Sequence, residues 1–120
     1  MSQDTLFDAN GAAVAYVDYK DDSTIYSFAG EPLAYLHGNN VYGFNGKHLG
    51  WFEQGVLRDH SGHGAGYSKQ ALPVFAQFEP FKGFKQFKPF KAFQEFAPFK
   101  PFYSNASISG GLGNWLGRGR

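Results

Sequence analysis

Phenylalanine occupies every third position of the chain from Phe75 to Phe102, ten times without a break, and Pro80, Pro89 and Pro98 add a period of nine. An α-helix turns by about 100° per residue, so a spacing of three distributes the rings around the whole cylinder. Interior prolines also cost an α-helix about 3 kcal/mol each. A 3₁₀ helix has the right period but seldom extends beyond about four residues. This segment is therefore not expected to be a helix of either kind.

An extended, polyproline-like arm fits the same pattern. Polyproline II has three residues per turn and tolerates proline, so it would align all the rings on one face. A second face would carry Lys82, Lys85, Lys88 and Lys91. At full extension such an arm would reach about 85 Å, whereas a head of some 70 residues is only about 23 Å across. We therefore predict an arm that either bends around its own head or crosses to another subunit.

The area of the rings indicates that something covers them. Ten phenylalanine side chains amount to about 1,500–2,000 Å² of apolar surface, which soluble monomers rarely expose. We expect the rings to complete the core at the mouth of the head or to pack against arms of other copies. Association through the arms would turn the lysines outward and give a homo-oligomer, which we expect to be a dimer.

Four copies of one segment precede the arm. They are centred on glycine and comprise Leu6–Val17, Ile25–Leu36, Val41–Phe52 and Leu57–Ser68. The central dipeptides are Asn10-Gly11, Ala29-Gly30, Asn45-Gly46 and Ser61-Gly62. An Asn-Gly pair between alternating apolar residues is the strongest short-range signal for a two-residue β-hairpin, because both turn positions need positive φ. Each copy is therefore predicted to be such a hairpin.

The expected cross-strand pairs follow from that turn. In the second copy Tyr26 would face Leu33 and Ile25 would face Ala34, and in the third copy Tyr42 would face Leu49 and Val41 would face Gly50. One face of the four hairpins carries only small residues, which let backbones approach closely. These residues are Ala15, Ala34, Gly50 and Gly66. We predict that the hairpins converge there around a pseudo-fourfold axis.

The predicted architecture is therefore all-β, with about eight short strands sharing one core. Residues 1–70 would form a flower-like or cup-like head, and residues 71–103 the arm. Residues 104–120 are rich in Gly and Ser and are expected to be mobile, apart from Trp115 and Leu116, which could anchor them.

Composition limits the function. With 120 residues the chain has room for one domain and an arm, and it contains no cysteine. No secretory leader or apolar run of about 18 residues is present, so we expect a soluble, cytoplasmic protein with no membrane partner. The net charge of +1 conceals a split, since residues 1–70 hold eight acidic and four basic side chains, and residues 71–120 two and seven. An acidic head thus precedes a basic arm.

The polar cluster of the fourth copy is the one candidate site for chemistry. Arg58 and His60 stand where the middle copies carry aromatic residues, and Asp59 and His63 lie beside them. His60 and His63 with Asp59 could bind a metal, or His60 could act as a general base near Asp59, but both histidines flank a tight turn and no third histidine stands at metal spacing. A solvated turn is the favoured interpretation, and His37 and His48 are expected at the surface. We predict no catalytic residue, metal or cofactor.

Three classes of function remain. A structural or protein-interaction module, whose arm completes the core or mediates assembly, fits the repeats and the unbroken phenylalanine register. A ligand-binding or carbohydrate-binding module would use Tyr35, Trp51 and Tyr67 as ligand-facing aromatics, although such residues are more often part of a core. Nucleic-acid binding through the lysines and rings of the arm is disfavoured, because the acidic head competes for those lysines.

The run GEPLAYLHGNNVYGFNGKHLGWFEQGVLRDHSGHGAGYSK, residues 30–69, resembles the small bacterial 4-fold β-flower proteins. The likeness covers roughly residues 5–103 and is most specific in GKHLGWF, residues 46–52. It implies a flower-shaped head of four hairpins and no assigned activity. The tail triplets of the family are mainly Leu, so the Phe triplets here depart from it. Arg58 and Asp59 match the family run, which gives them no role beyond that of a potential ion pair.

Overall fold

The structure is a computed structural model that describes residues 2–120. Eight antiparallel strands form a closed barrel, in which each strand pairs with the next and the last with the first. The strands are β1 (Gln3–Phe7), β2 (Ala13–Asp18), β3 (Thr24–Ser27), β4 (Pro32–His37), β5 (Asn40–Gly43), β6 (His48–Glu53), β7 (Val56–Arg58) and β8 (Gly64–Tyr67). The predicted all-β head of four hairpins is confirmed.

The hairpin turns differ from the predicted type. In the second hairpin the Gly30 N–H donates to the Ser27 carbonyl at 2.9 Å, and the Ser27 N–H donates to the Glu31 carbonyl at 2.9 Å. This is a three-residue loop, a type I turn closed by a glycine with a φ of 96°. The other three hairpins repeat the two bonds around Gly11, Gly46 and Gly62. The prediction of two-residue turns is wrong, because only the glycine of each turn has positive φ.

The extra loop residue changes the register beside each turn. The pairs Ile25 with Ala34 and Val41 with Gly50 form as predicted. The register then shifts, so that Tyr26 pairs with Pro32 and Tyr42 with His48. The predicted pairs of Tyr26 with Leu33 and Tyr42 with Leu49 are therefore wrong. The bulge leaves both leucines unpaired across the strands and packs them in the barrel interior.

The barrel interior is aliphatic and is completed by the end of the chain. A single helix, α1 (Leu112–Gly117), packs Leu112, Trp115 and Leu116 against the inward-facing residues of the strands. The small inward residues make room for it, since a Cβ at Gly66 would lie 2.8 Å from a Leu112 methyl group and one at Gly50 3.0 Å from Trp115 Cζ2. The predicted small-residue face exists, and what it accommodates is this helix.

The tail thus packs into the barrel through this helix, which contains the two residues named as its anchors, Trp115 and Leu116. The expectation of mobility rested on its Gly and Ser content, but the interior of the barrel supplies the apolar partners that the segment lacks locally. The Gly119 carbonyl also accepts from the Asn45 N–H at 3.1 Å, which fixes the end of the chain beside the third turn. No helix among residues 2–120 has the length and apolarity needed to cross a membrane.

The arm wraps around the outside of its own barrel. Residues 75–104 contain no helix or strand and follow the rim of a molecule that measures 36 × 35 × 26 Å. Of the two predicted routes, the structure therefore takes the one that bends around the head.

Candidate functional site

The arm docks on each hairpin turn at intervals of nine residues. The N–H groups of Gln77, Gln86, Glu95 and Ser104 donate to the carbonyls of Gly11, Gly30, Gly46 and Gly62, at 2.8, 2.9, 2.9 and 3.1 Å. The period of nine in the arm therefore matches the fourfold repeat of the barrel. Each nine-residue step advances the arm by one hairpin.

The turn glycines are needed for this docking as well as for the turn. A Cβ at Gly30 would overlap the carbonyl oxygen of Phe84, and a Cβ at Gly46 would overlap that of Phe93. Both glycines also have positive φ, 96° and 89° respectively. Backbone therefore lies directly on backbone, and only glycine satisfies both conditions.

Each triplet of the arm consists of a phenylalanine and the two residues that follow it. The third residue either donates a backbone hydrogen bond to a turn or is a proline. Beyond the four docking bonds, the N–H groups of Gly83 and Ala92 donate to the carbonyls of Phe28 and Phe44 at 2.6 and 2.9 Å. Pro80, Pro89 and Pro98 occupy the same triplet position between docking points. Proline has no N–H, so it sits where the arm makes no such bond.

The residues that follow the phenylalanines point toward the barrel. Lys85 pairs with Asp18 at 2.5 Å and Lys88 with Asp21 at 2.8 Å. Lys91 pairs with Asp22, and Lys100 with Glu53. The expectation of outward lysines is wrong, because the acidic side chains of the head attract them inward. The pKa of Asp21 is lowered to about 2, chiefly by its hydrogen bond with Lys88.

Lysines also cover the aromatic outer face of the barrel. Lys82 Nζ lies 5.0 Å from the ring centre of Tyr16, and Lys91 Nζ lies 4.2 Å from that of Tyr35. Exposed ion pairs contribute about 0–1 kcal/mol each and cation–π contacts about 0.5–1 kcal/mol. The arm is thus attached by many weak polar contacts, and its own apolar rings contribute none of that attachment.

All ten phenylalanine rings of the arm point into solvent. Their exposed fractions are between 94% and 101%, and we call this row, residues 75–102 at every third position, the phenylalanine rim. At about 150–200 Å² for each ring it supplies some 1,500–2,000 Å². The whole molecule exposes 7192 Å². The expectation that the rings complete the core of the head is wrong, because the inward positions are taken by lysines.

The predicted polar cluster does not converge on one site. Arg58 Nη1 donates to the carbonyls of Gly62 and Ser104, at 3.1 and 2.5 Å. Asp59 Oδ1 instead accepts the backbone N–H groups of Ser61 and His63, at 2.9 and 3.0 Å. Within residues 2–120 there is no ion pair between Arg58 and Asp59 and no group of three potential metal ligands. Both residues therefore hold the turn and the arm in place.

His60 has a partner that the sequence did not indicate. Its Nε2 lies 3.0 Å from Nδ1 of His48, and the two rings stack at 5.2 Å. His48 Nε2 lies 3.0 Å from Asn40 Oδ1, so that nitrogen carries the proton and Nδ1 accepts from His60. His48 is buried, not at the surface as expected, because the bulge places it opposite Tyr42. His37 is exposed, as expected.

The buried histidine predicts a loss of stability in mild acid. Burial, reinforced by the neighbouring His60, lowers the pKa of His48 to about 4. In the unfolded chain that pKa is about 6.5, so the unfolded state binds a proton that the folded state excludes. We therefore expect the free energy of unfolding to fall by about 2 kcal/mol between pH 7 and pH 5. The carboxylates with lowered pKa values reduce the free energy of unfolding only below about pH 4, where they become protonated in the unfolded chain.

Urea unfolding at pH 7 and pH 5 tests this, with H48Q beside wild type. H48Q should lose most of the decrease, whereas H37Q, at an exposed position, should keep it. An equal decrease in wild type and H48Q would contradict the assignment to His48.

The candidate ligand-facing aromatics are not exposed. Tyr35, Trp51 and Tyr67 are all buried. Gln94 Nε2 donates to the Tyr35 hydroxyl at 3.0 Å, and the Tyr67 and Ser107 hydroxyls are 2.7 Å apart. These rings offer no face to a sugar. The arm lysines also contact the head, Lys82 over the Tyr16 ring and the other four in ion pairs with carboxylates.

The sequence matches one family model, described as 4-fold beta flower protein, over residues 4–112. That match includes the barrel, the whole arm and the start of α1. No curated protein and no solved structure matched the chain.

Proposed function

The chain belongs to the 4-fold β-flower family, and we propose that this member is an assembly module without catalytic activity. In this proposal the barrel holds the arm as a belt, and the phenylalanine rim associates with further copies of the protein. The observation that carries the proposal is the near-complete exposure of all ten rings.

The magnitude of the exposed surface supports association. The largest apolar patch on a monomeric protein is typically about 300–600 Å², and the rim exceeds this about threefold. Each ring that becomes fully buried contributes about 1.5–3 kcal/mol. Burial of three rings supplies about 4.5–9 kcal/mol, which is comparable to the cost of bringing two molecules together, some 4–15 kcal/mol.

The arm also has no means of burying the rings within the same molecule. Its inward positions carry the lysines, which are paired with acidic side chains of the head. Turning the arm over would expose those charges to each other and place rings against Asp18, Asp21 and Asp22. The pattern of one apolar and one basic face favours a belt that is polar toward its own barrel and apolar toward a partner.

Light scattering coupled to size exclusion tests the proposal on the full chain. We compare wild type with a variant in which all ten rim phenylalanines are replaced by serine. A matched control carries leucine at the same ten positions and so keeps the apolar character. We expect wild type and the leucine variant to be oligomers and the serine variant a folded monomer. A monomeric wild type would overturn the proposal.

A further inference from the structure

The phenylalanine rim faces three quarters of the circumference of the molecule. The four hairpins follow one another around the closed barrel, and the arm touches the first turn at Phe75 and the fourth at Phe102. Three arcs of rim therefore connect the four turns. The remaining quarter, between Gly62 and Gly11, carries no rim phenylalanine.

A single partner molecule cannot bury the whole phenylalanine rim. One arc comprises about three rings, which supply about 450–600 Å² of apolar surface. A standard protein interface buries about 800 Å² on each partner, so the whole rim holds enough for about two such interfaces. Because the rim runs along three quarters of a closed barrel, one neighbour contacts one arc and leaves the others in water.

A second copy of the chain is the occupant that the rim fits. Successive rings are separated by about 9 Å in an extended chain, and an identical row inserts its rings into those gaps along a whole arc. A surface with a different spacing falls out of register after one or two rings. The arm lysines do not oppose this contact. Four of the five are paired with carboxylates of their own head, Lys82 lies over the Tyr16 ring, and the net charge is only +1.

We propose that each molecule binds at least two further copies edge to edge, through separate arcs of the rim. This inference rests on the proposed function and specifies its geometry. Assembly then goes beyond two copies, because contacts through different arcs of one molecule are made with different partners. The dimer expected from the sequence becomes the smallest species, not the final one.

Sedimentation velocity of the full chain over a hundredfold range of concentration tests the inference. Three pairs of substitutions each remove one arc, F78S/F81S, F87S/F90S and F96S/F99S, and they are combined two at a time and all three together. Matched controls carry leucine at the same pairs of positions. The substituted rings are fully exposed, so the fold is expected to persist, and circular dichroism checks it.

We expect wild type to exceed the mass of a dimer and to grow with concentration. Variants that lack two arcs should stop at a dimer, the variant that lacks all three should be a monomer, and the leucine controls should behave as wild type. If two-arc variants assemble as far as wild type does, the inference is wrong.

The remaining outcomes separate the two proposals. A wild type that stops at a dimer overturns the multi-neighbour geometry and leaves self-association standing. A monomeric wild type overturns both. If a monomeric wild type co-sediments with phosphatidylcholine vesicles and the variant lacking all three arcs does not, a lipid surface is the occupant of the rim, and both proposals fail.

Discussion

Replacing Trp115 with alanine should lower the free energy of unfolding by about 3–5 kcal/mol, as is usual for the removal of a buried tryptophan. The ring is 2% exposed and packs in the barrel interior with Leu112 and Leu116. Gly50 lies against the ring, since a Cβ there would be 3.0 Å from Trp115 Cζ2, so that position has no side chain to fill the space. Since domains of this size are stable by about 5–15 kcal/mol, W115A removes a large share of the total.

Urea unfolding monitored by circular dichroism measures this loss. The matched control is N114A, the adjacent residue on the exposed side of the same helix, whose side chain donates only to the Gly110 carbonyl at 2.7 Å. We expect N114A to cost about 1 kcal/mol or less. If W115A is no less stable than N114A, the tail does not complete the core.

Replacing Gly46 with alanine should detach the arm at the third turn. Alanine at a φ of 89° is strained by about 1–2 kcal/mol, and its Cβ would also overlap the Phe93 carbonyl. The two hydrogen bonds made there by Ala92 and Glu95 would be lost as well, at about 1 kcal/mol each. We therefore expect G46A to be destabilised by about 3–4 kcal/mol.

G38A is the control for G46A. Gly38 also has positive φ, 61°, but no atom lies within 4 Å of a Cβ there. It should show the backbone strain without the loss of docking. Limited trypsin digestion reports the difference, because a lifted arm exposes the bond after Lys91. Equal digestion of G46A and G38A would show that the docking glycines do not hold the arm.

The barrel was largely predictable because its signals are local. The turn glycines recur in all four copies, and strand pairing follows directly from a hairpin turn. The pairs of Ile25 with Ala34 and Val41 with Gly50 were predicted on that basis and are confirmed. The residues next to the turns were assigned to the wrong partners, because type I turns with a bulge and two-residue turns share the same x-Gly signature.

The contacts of His48 and of Trp115 were not predictable from local signals. His48 lies in the third hairpin and contacts His60 in the turn of the fourth. The spacing of the two residues in the sequence does not indicate that contact. Trp115 was named as an anchor of the tail, but its place in the barrel interior was not predictable, because the residues it packs against lie on strands far away in the sequence. Both positions depend on the packing of segments that are distant in the sequence.

The sequence by itself determined the two repeats of this protein, the four glycine-centred hairpins and the phenylalanine triplets of the arm. Both depend on turn chemistry and side-chain spacing, which are properties of neighbouring residues. The sequence therefore specified four hairpins and an arm with three faces. The tertiary structure alone decided which face turns inward. Each lysine of the arm contacts a carboxylate or an aromatic ring of the barrel, and the carbonyl of each turn glycine accepts from an N–H of the arm. Because the two polar faces of the arm pack against the barrel, the face that carries the phenylalanine rings points into solvent.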